Sequence, residues 1–564
     1  MSDDYQLDAL SAPRTAGRLL KIAAALVETR WPGDWIANRF LNDVGIQRLR
    51  DIDCSDPLPA VHPIFGDAHN PSIDTTPLAN TSTHNGDAHP GIGAADFRRA
   101  YLDGTTSPLK VAERIISTGV EPDLRPSLNA IVALDQDDLY HQARLSTQRY
   151  EQNRSLGPLD GVPIGVKDEL DLAGYRTRVG TCFLGLKPAL TDATPVARLR
   201  SAGALLIGKL NMHEIGIGVT GINPHHGTAR NPYDRQRLTG GSSSGSGAAV
   251  AAGLCPIAVG ADGGGSIRIP ASFCGVVGLK PTYGRVSEMG AAPLCWSVAH
   301  VGPLGLNVSD VAAAYSVMSG PDPADINTMF QPEVEHNFAA PERLDGLKVG
   351  VYDPFFTDAD PDVVNICQRA LDKAVQLGAQ RHTISISNLD VLRTAHMVTI
   401  VSEMLTSMGP HLKAHKRKFG YDVRLNLAIA QRIRNSDYVK AQRLRVGIYR
   451  EFKKLYESVD IIAMPTTACT APHLRADALE TGDSDLALLD KVMRFSPIAN
   501  LTGLPSISLP VGYDQQGLPV GLQLMGAPWT ESKLLRIAGA IETHSERRLP
   551  KDYVDLISPR SGPR

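Results

Sequence analysis

The sequence predicts an α/β fold in which helices flank a central mixed β-sheet, with a helical arm at the N-terminus. From about residue 96 onward, short β-like runs alternate with apolar helical patterns, which is typical of helices packed on a mixed sheet. The 564 residues are 43% hydrophobic and 21% charged, so the chain can bury a large core. No repeat of 20–50 residues is present, which argues against a solenoid or propeller.

The N-terminal arm, residues 1–51, is predicted from the helical spacing of Leu19, Ile22 and Leu26 and from a second apolar set that begins at Trp35. We expect this helical pair to pack on its own domain or on a second copy of the chain. A peripheral membrane contact is the less favoured alternative, because the apolar face is short and poor in lysine. The first residues are acidic where a secretory signal is basic, and no apolar run is long enough to cross a bilayer.

The rest of the chain divides into a connection, one large domain and a tail. Residues 52–94 carry six prolines and little apolar periodicity, which predicts a long irregular connection. The main domain is expected over residues 95–548 and the tail over 549–564. Residues 365–458 are predicted to be mainly helical. The expected strands are residues 204–207, 256–259, 349–352, 460–464, 506–511 and 520–525, with a hairpin turn at 514–517 between the last two.

Composition excludes several classes of function. With 57 Lys and Arg against 60 Asp and Glu, the chain lacks the positive surplus of a nucleic-acid binder. The seven cysteines are scattered and form no CxxC pair, so neither a disulfide framework nor a zinc site is expected, and a cytoplasmic location is favoured. His213, His225 and His226 lack the HExxH spacing of a zinc site. The glycine-serine stretch is not followed by the GK[ST] that completes a phosphate-binding loop. No metal and no cofactor are predicted.

Residues 240–278 contain 11 of the 51 glycines and carry the clearest chemical signal. Gly263, Gly264 and Gly265 directly precede Ser266, and successive N–H groups of such a run can converge on one oxyanion. Ser266 is therefore a candidate nucleophile. Ser243 is a rival because residues 241–245 satisfy GxSxG, yet that elbow follows a strand, and residues 231–239 are polar and charged.

A serine nucleophile needs a base, and Lys167 is the candidate. It ends the apolar, glycine-flanked run of residues 160–167, where burial favours the neutral amine. The adjacent Asp168 favours the charged ammonium instead. Judged on these residues alone, a structural ion pair is the more favoured interpretation of Lys167.

Four segments together resemble the successive blocks of the amidase signature family, in the family's order. These segments are DGVPIGVKDELDLAG, GKLNMHEIGIG, TGGSSSGSGAAVAAGL and VGADGGGSIRIPASFCGVVGLKPTYGR. The resemblance extends over about residues 96–545. Within the family the chain is similar to the plant-type fatty acid amide hydrolases, for example in His213 and Gly263.

The resemblance implies the amidase-signature fold and a Ser-Ser-Lys triad. By motif position Ser266 is the nucleophile, Ser242 the bridging serine that follows a cis peptide, and Lys167 the base. The amides of residues 263–265 are expected to form the oxyanion hole. Three further residues are expected to support the site: Ser243, Asp262 and Arg268.

The function implied by this resemblance is cofactor-free amide hydrolysis through an acyl-enzyme. Hydrophobic N-acyl amides are the expected substrates, held by apolar residues from the helical region at about 395–450. A small-amide or aryl-acylamide amidase on the same triad is the first alternative, and the amidotransferase subunit of a tRNA-dependent complex is an alternative of another class. The arm and the resemblance favour a homodimer, whereas the preferred acyl length stays open.

Overall fold

The computed structural model describes residues 5, 7–10, 12–52, 90–119 and 128–558 of the 564-residue chain. Most of the connection predicted at 52–94, and the end of the tail predicted at 549–564, lie outside the described residues. Everything below concerns the described ranges.

The strands, numbered in chain order, are β1 (Thr15–Ala16), β2 (Ile131–Ala133), β3 (Pro163–Lys167), β4 (Leu205–Leu210), β5 (Ile257–Ala261), β6 (Val277–Lys280), β7 (Val301–Gly305), β8 (Lys348–Val351), β9 (Gln380–Thr383), β10 (Ile461–Pro465), β11 (Asp483–Ser484), β12 (Ser506–Tyr513) and β13 (Pro519–Gly526).

The helices are α1 (Gly17–Val27), α2 (Gly33–Asp43), α3 (Ile46–Asp51), α4 (Ala94–Leu102), α5 (Pro108–Gly119), α6 (Gln136–Glu151), α7 (Thr194–Ser201), α8 (Ser244–Ala251), α9 (Arg268–Cys274), α10 (Val308–Met318), α11 (Asp353–Phe356), α12 (Pro361–Gln376), α13 (Leu389–His415), α14 (Tyr421–Ala430), α15 (Asn435–Leu455), α16 (Leu486–Met493), α17 (Pro497–Thr502) and α18 (Glu531–Glu542). Several begin at sequence signals for a helix start. Asp135 and Asn307 accept hydrogen bonds from the first turns of α6 and α10, and Pro361 opens α12.

A mixed sheet of eleven strands runs through the molecule in the order β2-β4-β3-β5-β7-β6-β12-β13-β10-β8-β9. Strands β4, β3 and β5 are parallel, and so are β10, β8 and β9, whereas the strands between β5 and β10 pair antiparallel. Strands β3, β4 and β5 are buried along their whole length, because helices cover both faces of the sheet. The predicted α/β fold with a central mixed sheet is confirmed.

The six strands expected at 204–207, 256–259, 349–352, 460–464, 506–511 and 520–525 correspond to β4, β5, β8, β10, β12 and β13, and the last two form the expected hairpin. The prediction that residues 365–458 are mainly helical is confirmed, since α12, α13, α14 and α15 occupy most of that range; the exception is the short strand β9. Its residues, Gln380–Thr383, are polar and mostly exposed, so only pairing with β8 at the sheet edge makes them a strand.

The N-terminal arm packs on its own domain, but through a different face from the one that the sequence suggested. Leu20 and Val27 of α1 are buried in a cluster with residues of α13, α14 and α15. Leu19, Ile22 and Leu26, the three residues with the predicted spacing, are 65%, 56% and 39% exposed. The face of α1 that packs against the domain is therefore the one formed by Leu20, Ala24 and Val27.

None of the helices in the described ranges is long and apolar enough to cross a membrane. The cysteines of these ranges are free thiols, and five of the six are buried.

Candidate active site

Lys167 stands at the C-terminal end of β3, the third strand from one edge of the sheet, and its side chain is buried. The strand is apolar and is flanked by β4 and β5, so the amine projects from a buried part of the sheet. Its Nζ lies 2.8 Å from Ser242 Oγ, 3.2 Å from the carbonyl oxygen of Ala261 and 2.7 Å from Glu169 Oε2. The sequence-predicted pairing of Lys167 with Ser242 is thus present as a direct contact.

The carboxylate beside Lys167 is that of Glu169, and the expectation that Asp168 plays this part was wrong. Asp168 points to the other side of the strand, where its Oδ1 lies 3.7 Å from Nζ of Lys209 and the carboxylate accepts the N–H groups of Arg178 and Gly180. Residues 168 and 169 form a turn after β3, closed by the N–H of Leu170, which donates to the carbonyl oxygen of Lys167 at 3.1 Å, and in this turn Glu169 comes back against Lys167 while Asp168 does not. Burial raises the pKa of Asp168 and lowers the pKa of Lys209.

Ser242 follows a cis peptide bond with Gly241, as the resemblance implied, and leads into α8. Its carbonyl oxygen accepts the N–H groups of His213 and Ser244 at 3.0 and 2.9 Å. These contacts hold the backbone, while the hydroxyl is left to meet Lys167.

Ser243 is fully buried behind the site, 3.3 Å from the carbonyl oxygen of Ala261 at the end of β5. Residues 231–241 form no strand, so the strand-to-helix geometry of a nucleophile elbow is not present here. A position near the site but away from its surface fits the supporting role predicted for Ser243.

Ser266 lies on the loop between β5 and α9 and lines an internal cavity. Its hydroxyl makes no hydrogen bond to any described residue, and none joins it to Ser242 Oγ. The backbones of the two serine segments are tied, since the N–H of Ser243 donates to the carbonyl oxygen of Ser266 at 3.3 Å. The structure therefore brings Lys167 and Ser242 into contact and holds Ser266 next to them with a free hydroxyl.

The carbonyl groups of the loop before Ser266 are anchored. The carbonyl oxygen of Asp262 accepts Nδ2–H of Asn500 at 2.8 Å, that of Gly263 accepts Nε2–H of His396 at 2.8 Å, and that of Gly265 accepts the N–H of Ile269 at 2.7 Å. In a planar trans peptide the N–H points opposite to the C=O. The N–H groups of Gly263, Gly264 and Ser266 are therefore turned away from these anchors, and none of the three donates to a described residue.

Gly265 differs from its neighbours. Its N–H donates to Asp262 Oδ1 at 2.6 Å, so this amide, unlike those of Gly263 and Gly264, already has an acceptor within the loop. The carbonyl on the other side of the same peptide, that of Gly264, accepts the Ser496 hydroxyl at 2.7 Å. Gly265 also has φ +117° and a space that a Cβ would share with Ile269 and Ser496 at under 3 Å, so only glycine fits.

Asp262 and Arg268 form a buried ion pair under the loop, with Arg268 Nε 3.0 Å from Asp262 Oδ2. Arg268 also donates to Asn500 Oδ1 at 2.5 Å and to Gln523 Oε1 at 2.7 Å. All of these groups lie beneath the cavity, so Arg268 supports the loop and does not line the channel.

Two titratable groups of the site have strongly shifted pKa values. Burial alone raises the pKa of Asp262, but the Arg268 guanidinium and the hydrogen bonds from Arg268 and Asn500 outweigh it and hold the pKa far below its ordinary value. Burial lowers the pKa of His396 to about 4. At neutral pH, Asp262 is therefore charged and His396 is a neutral donor to the carbonyl of Gly263.

The cavity runs from Ser266 along α13 to the N-terminal arm. Met397, Ile400, Val401 and Met404 of α13 form one wall, which confirms that part of the helical region at 395–450 faces the site. Leu10, Phe40 and Val44 of the arm also line the cavity. The lining is mainly apolar, and the arm closes a space whose other walls come from the main domain.

The three histidines near the glycine-serine stretch have separate partners. His213 Nε2 lies 3.3 Å from Asp422 Oδ2, His225 Nε2 lies 3.0 Å from Glu214 Oε1, and His226 Nε2 lies 2.8 Å from the carbonyl oxygen of Thr181. The described ranges hold no group of three or more potential ligands placed for a metal ion.

Sequence reasoning missed Glu169, His396, Ser496 and Asn500. Glu169 lies two residues from Lys167 in the turn that follows β3, so the period-2 alternation of a strand does not identify it. The other three are 130 or more residues from the loop carbonyls that they anchor, those of Gly263, Gly264 and Asp262, and no local pattern marks them.

Comparisons with known proteins show the family to which the chain belongs. A family model described as Amidase matches residues 122–535. The chain is 43% identical over 475 residues to "Fatty acid amide hydrolase" of Oryza sativa subsp. indica, covering 82% of this chain and 78% of the relative. It is 36% identical over 589 residues to "Fatty acid amide hydrolase" of Arabidopsis thaliana, covering 98% and 96%. The solved native peptide amidase from Stenotrophomonas maltophilia superposes with a TM-score of 0.70 at 27% identity, over 84% of this chain and 99% of that one.

Proposed function

The chain belongs to the amidase family of amide-hydrolysing enzymes, and on that premise we propose that it cleaves hydrophobic N-acyl amides by means of Ser266, Ser242 and Lys167. The observation that carries the substrate class is the apolar cavity that leads away from Ser266. The observation that supports the triad is the buried contact of 2.8 Å between Lys167 Nζ and Ser242 Oγ.

In the first step Lys167 acts as the base through Ser242. The lone pair of neutral Lys167 Nζ takes the proton of Ser242 Oγ while Ser242 Oγ takes the proton of Ser266. Rotation about the Cα–Cβ bond of Ser266 brings its hydroxyl to Ser242, since hydrogen bonds of catalytic groups are often completed only when substrate is bound. Ser266 Oγ then bonds to the amide carbon, and the carbonyl π electrons move to oxygen.

The oxyanion formed in this step is stabilised by the N–H groups of Gly263, Gly264 and Ser266. They are the amides of the loop that have no other acceptor, and their carbonyls are anchored on the far side. Each well-placed donor of this kind is worth about 3–4 kcal/mol of transition-state stabilisation.

Collapse of the tetrahedral intermediate breaks the C–N bond. Ser242 Oγ–H gives its proton to the departing nitrogen and regains one from Lys167, which leaves an acyl-enzyme on Ser266. Water then attacks the ester carbon by the same relay, releases the acid and restores Ser266. No step requires a metal or a cofactor.

The cavity favours an acyl chain over a small amide. A chain that enters it replaces water against Met397, Ile400 and Met404 and then meets Phe40 of the arm. Burial of each methylene contributes about 0.8 kcal/mol, so affinity should rise with chain length until the end of the cavity is reached.

The test compares kcat/KM for N-acyl ethanolamides of graded acyl length with that for acetanilide and small primary amides. A steady rise with acyl length supports the proposal. A flat or falling profile would instead favour the small-amide or aryl-acylamide alternative. Activity that appears only when partner chains and a charged tRNA are supplied would favour the amidotransferase alternative.

The triad is tested by a matched pair of serine variants. Ser266→Ala should abolish turnover and acyl-enzyme formation, because no other hydroxyl on the loop faces the cavity. Ser243→Ala should keep most of both, because Ser243 Oγ is buried against Ala261. The reverse pattern would show Ser243 to be the nucleophile.

The exposed face of the arm is proposed to meet a second copy of the chain. Leu19, Ile22, Trp31 and Trp35 are more than half exposed, and soluble monomers rarely leave apolar groups of this size together in water. Light scattering of the purified chain should give a dimer, and Ile22→Glu should give a monomer. A monomeric wild type that sediments with phospholipid vesicles would favour the membrane contact instead.

A further inference from the structure

Glu169 is a buried carboxylate in direct contact with the candidate base. Its Oε2 lies 2.7 Å from Lys167 Nζ, and the residue is 5% exposed. Its backbone carbonyl accepts the N–H of Ala292 at 2.9 Å, which fixes the segment after β3. Gly216, which lines the cavity, closes over the pair: a Cβ at this position would lie 3.5 Å from Ser242 Oγ and 3.9 Å from Glu169 Oε2.

The contacts of Lys167 match the hydrogen-bonding capacity of its two protonation states. A neutral amine can donate to the carbonyl of Ala261 and to Glu169 and still accept the proton of Ser242. Once that proton has moved, the new ammonium lies against the carboxylate of Glu169. The positive charge that develops on Lys167 during the relay is therefore formed next to a fixed negative charge, without movement of either side chain.

We propose that Glu169 is the positioning residue for Lys167, which orients the amine toward Ser242 and stabilises the ammonium formed when the relay operates. This inference rests on the proposed function, since it acts through Lys167. The proton moves from Ser242 Oγ to Lys167 Nζ, and Glu169 remains a carboxylate throughout.

The other titratable groups around Glu169 leave this charge in place. Lys209 of β4 is paired with Asp168. Burial raises the pKa of Glu288 well above its ordinary value, and the charges of Asp325 and Glu169 add to the effect. Burial likewise raises the pKa of Cys295, with Glu169, Glu403 and Glu288 contributing. Glu288 and Cys295 are therefore uncharged at neutral pH, and the ammonium that the relay forms on Lys167 lies in contact with Glu169.

The experiment measures pH–rate profiles for wild type and Glu169→Gln. A carboxylate next to an ammonium favours the protonated form, so its removal should move the acidic limb of kcat/KM to lower pH by about 1–2 units. The plateau at alkaline pH should fall about tenfold or more, because the ammonium formed in the relay loses its partner. Asp437→Asn is the matched control, since it removes a buried carboxylate that lies 2.7 Å from Arg50, away from the relay, and should leave the limb in place.

A lower plateau with an unchanged limb in Glu169→Gln would overturn the inference, because a merely structural role predicts that result. Should Glu169→Gln fail to fold, Glu169→Asp carries the test: its shorter carboxylate should shift the limb in the same direction by a smaller amount, and an unshifted limb would again overturn it. A second readout is the rate at which a fluorophosphonate labels Ser266 across pH, which requires an activated serine but no amide turnover. If wild type and Glu169→Gln are labelled with the same pH dependence, the role proposed for Glu169 is refuted and the proposed function stands. If wild type is not labelled at all, the proposed function is refuted as well.

Discussion

Replacement of His396 by leucine tests how the oxyanion loop is oriented. His396 Nε2–H donates to the carbonyl of Gly263 at 2.8 Å, and this anchor directs the N–H of Gly264 to the opposite side. Because burial lowers the pKa of His396 to about 4, the side chain is a neutral donor over the whole working range of pH. In His396→Leu the carbonyl loses its donor inside the protein, and the peptide can rotate to find another partner.

The size of the effect follows from the two contributions involved. A buried carbonyl without a partner costs about 1–3 kcal/mol, which is the force that turns the peptide. Complete loss of one oxyanion donor costs about 3–4 kcal/mol. Since the neighbouring peptides stay anchored by Asn500 and Ile269, we expect a partial loss, with kcat lowered about 10- to 100-fold, or about 1.4–2.7 kcal/mol.

The assay is steady-state kinetics on one long-chain amide with two companion variants. His396→Gln keeps a donor at a similar reach and should retain most of kcat. Ser496→Ala removes the hydrogen bond to the carbonyl of Gly264. The N–H of the same peptide, that of Gly265, already donates to Asp262, so kcat should change only a few-fold. A full kcat in His396→Leu, or a larger loss in Ser496→Ala, would refute the orientation argument.

Three further predictions concern stability and specificity. Arg268→Met should lower the free energy of unfolding by about 3–5 kcal/mol in denaturant titrations, because it leaves the charge of Asp262 buried and unpaired. Loss of the exposed ion pair between Arg548 and Glu546 should lower it by less than about 1 kcal/mol, and equal effects of the two changes would contradict this prediction. Burial, reinforced by the charge of Glu542, raises the pKa of Asp310 in the folded state to about 8, above its value in the unfolded chain. The contribution of protonated Asp310 to the free energy of unfolding is therefore lost as the pH rises from about 4 to about 8. Asp310→Asn should therefore show a smaller fall in melting temperature between pH 5.5 and 8.5 than wild type, and an equal fall would count against this assignment. Phe40→Trp should shift the preferred acyl chain to a shorter one by about two carbons, because the added ring atoms fill the arm end of the cavity; an unchanged profile would place the chain elsewhere.

Local pattern was sufficient for the elements whose burial is continuous. The core strands β4, β5, β10, β12 and β13 are apolar runs bounded by turn residues, so their position follows from sequence order alone. Edge strand β9 and the exposed face of α1 were not predictable in this way, because a polar strand exists only through its neighbour and an amphipathic helix can be packed by either of two adjacent faces.

By itself the sequence determined the α/β class, the position of Lys167 at the end of a buried strand, and the glycines and serines that match the family's blocks. Only the tertiary structure decided that Glu169, and not Asp168, meets Lys167, that Gly265 donates to Asp262, and that the arm closes the cavity. The reason is physical: spacing along the chain fixes which side chains share a strand or a turn. The direction of a peptide N–H or the partner of a buried charge depends on residues that are distant in sequence and are brought together only by packing.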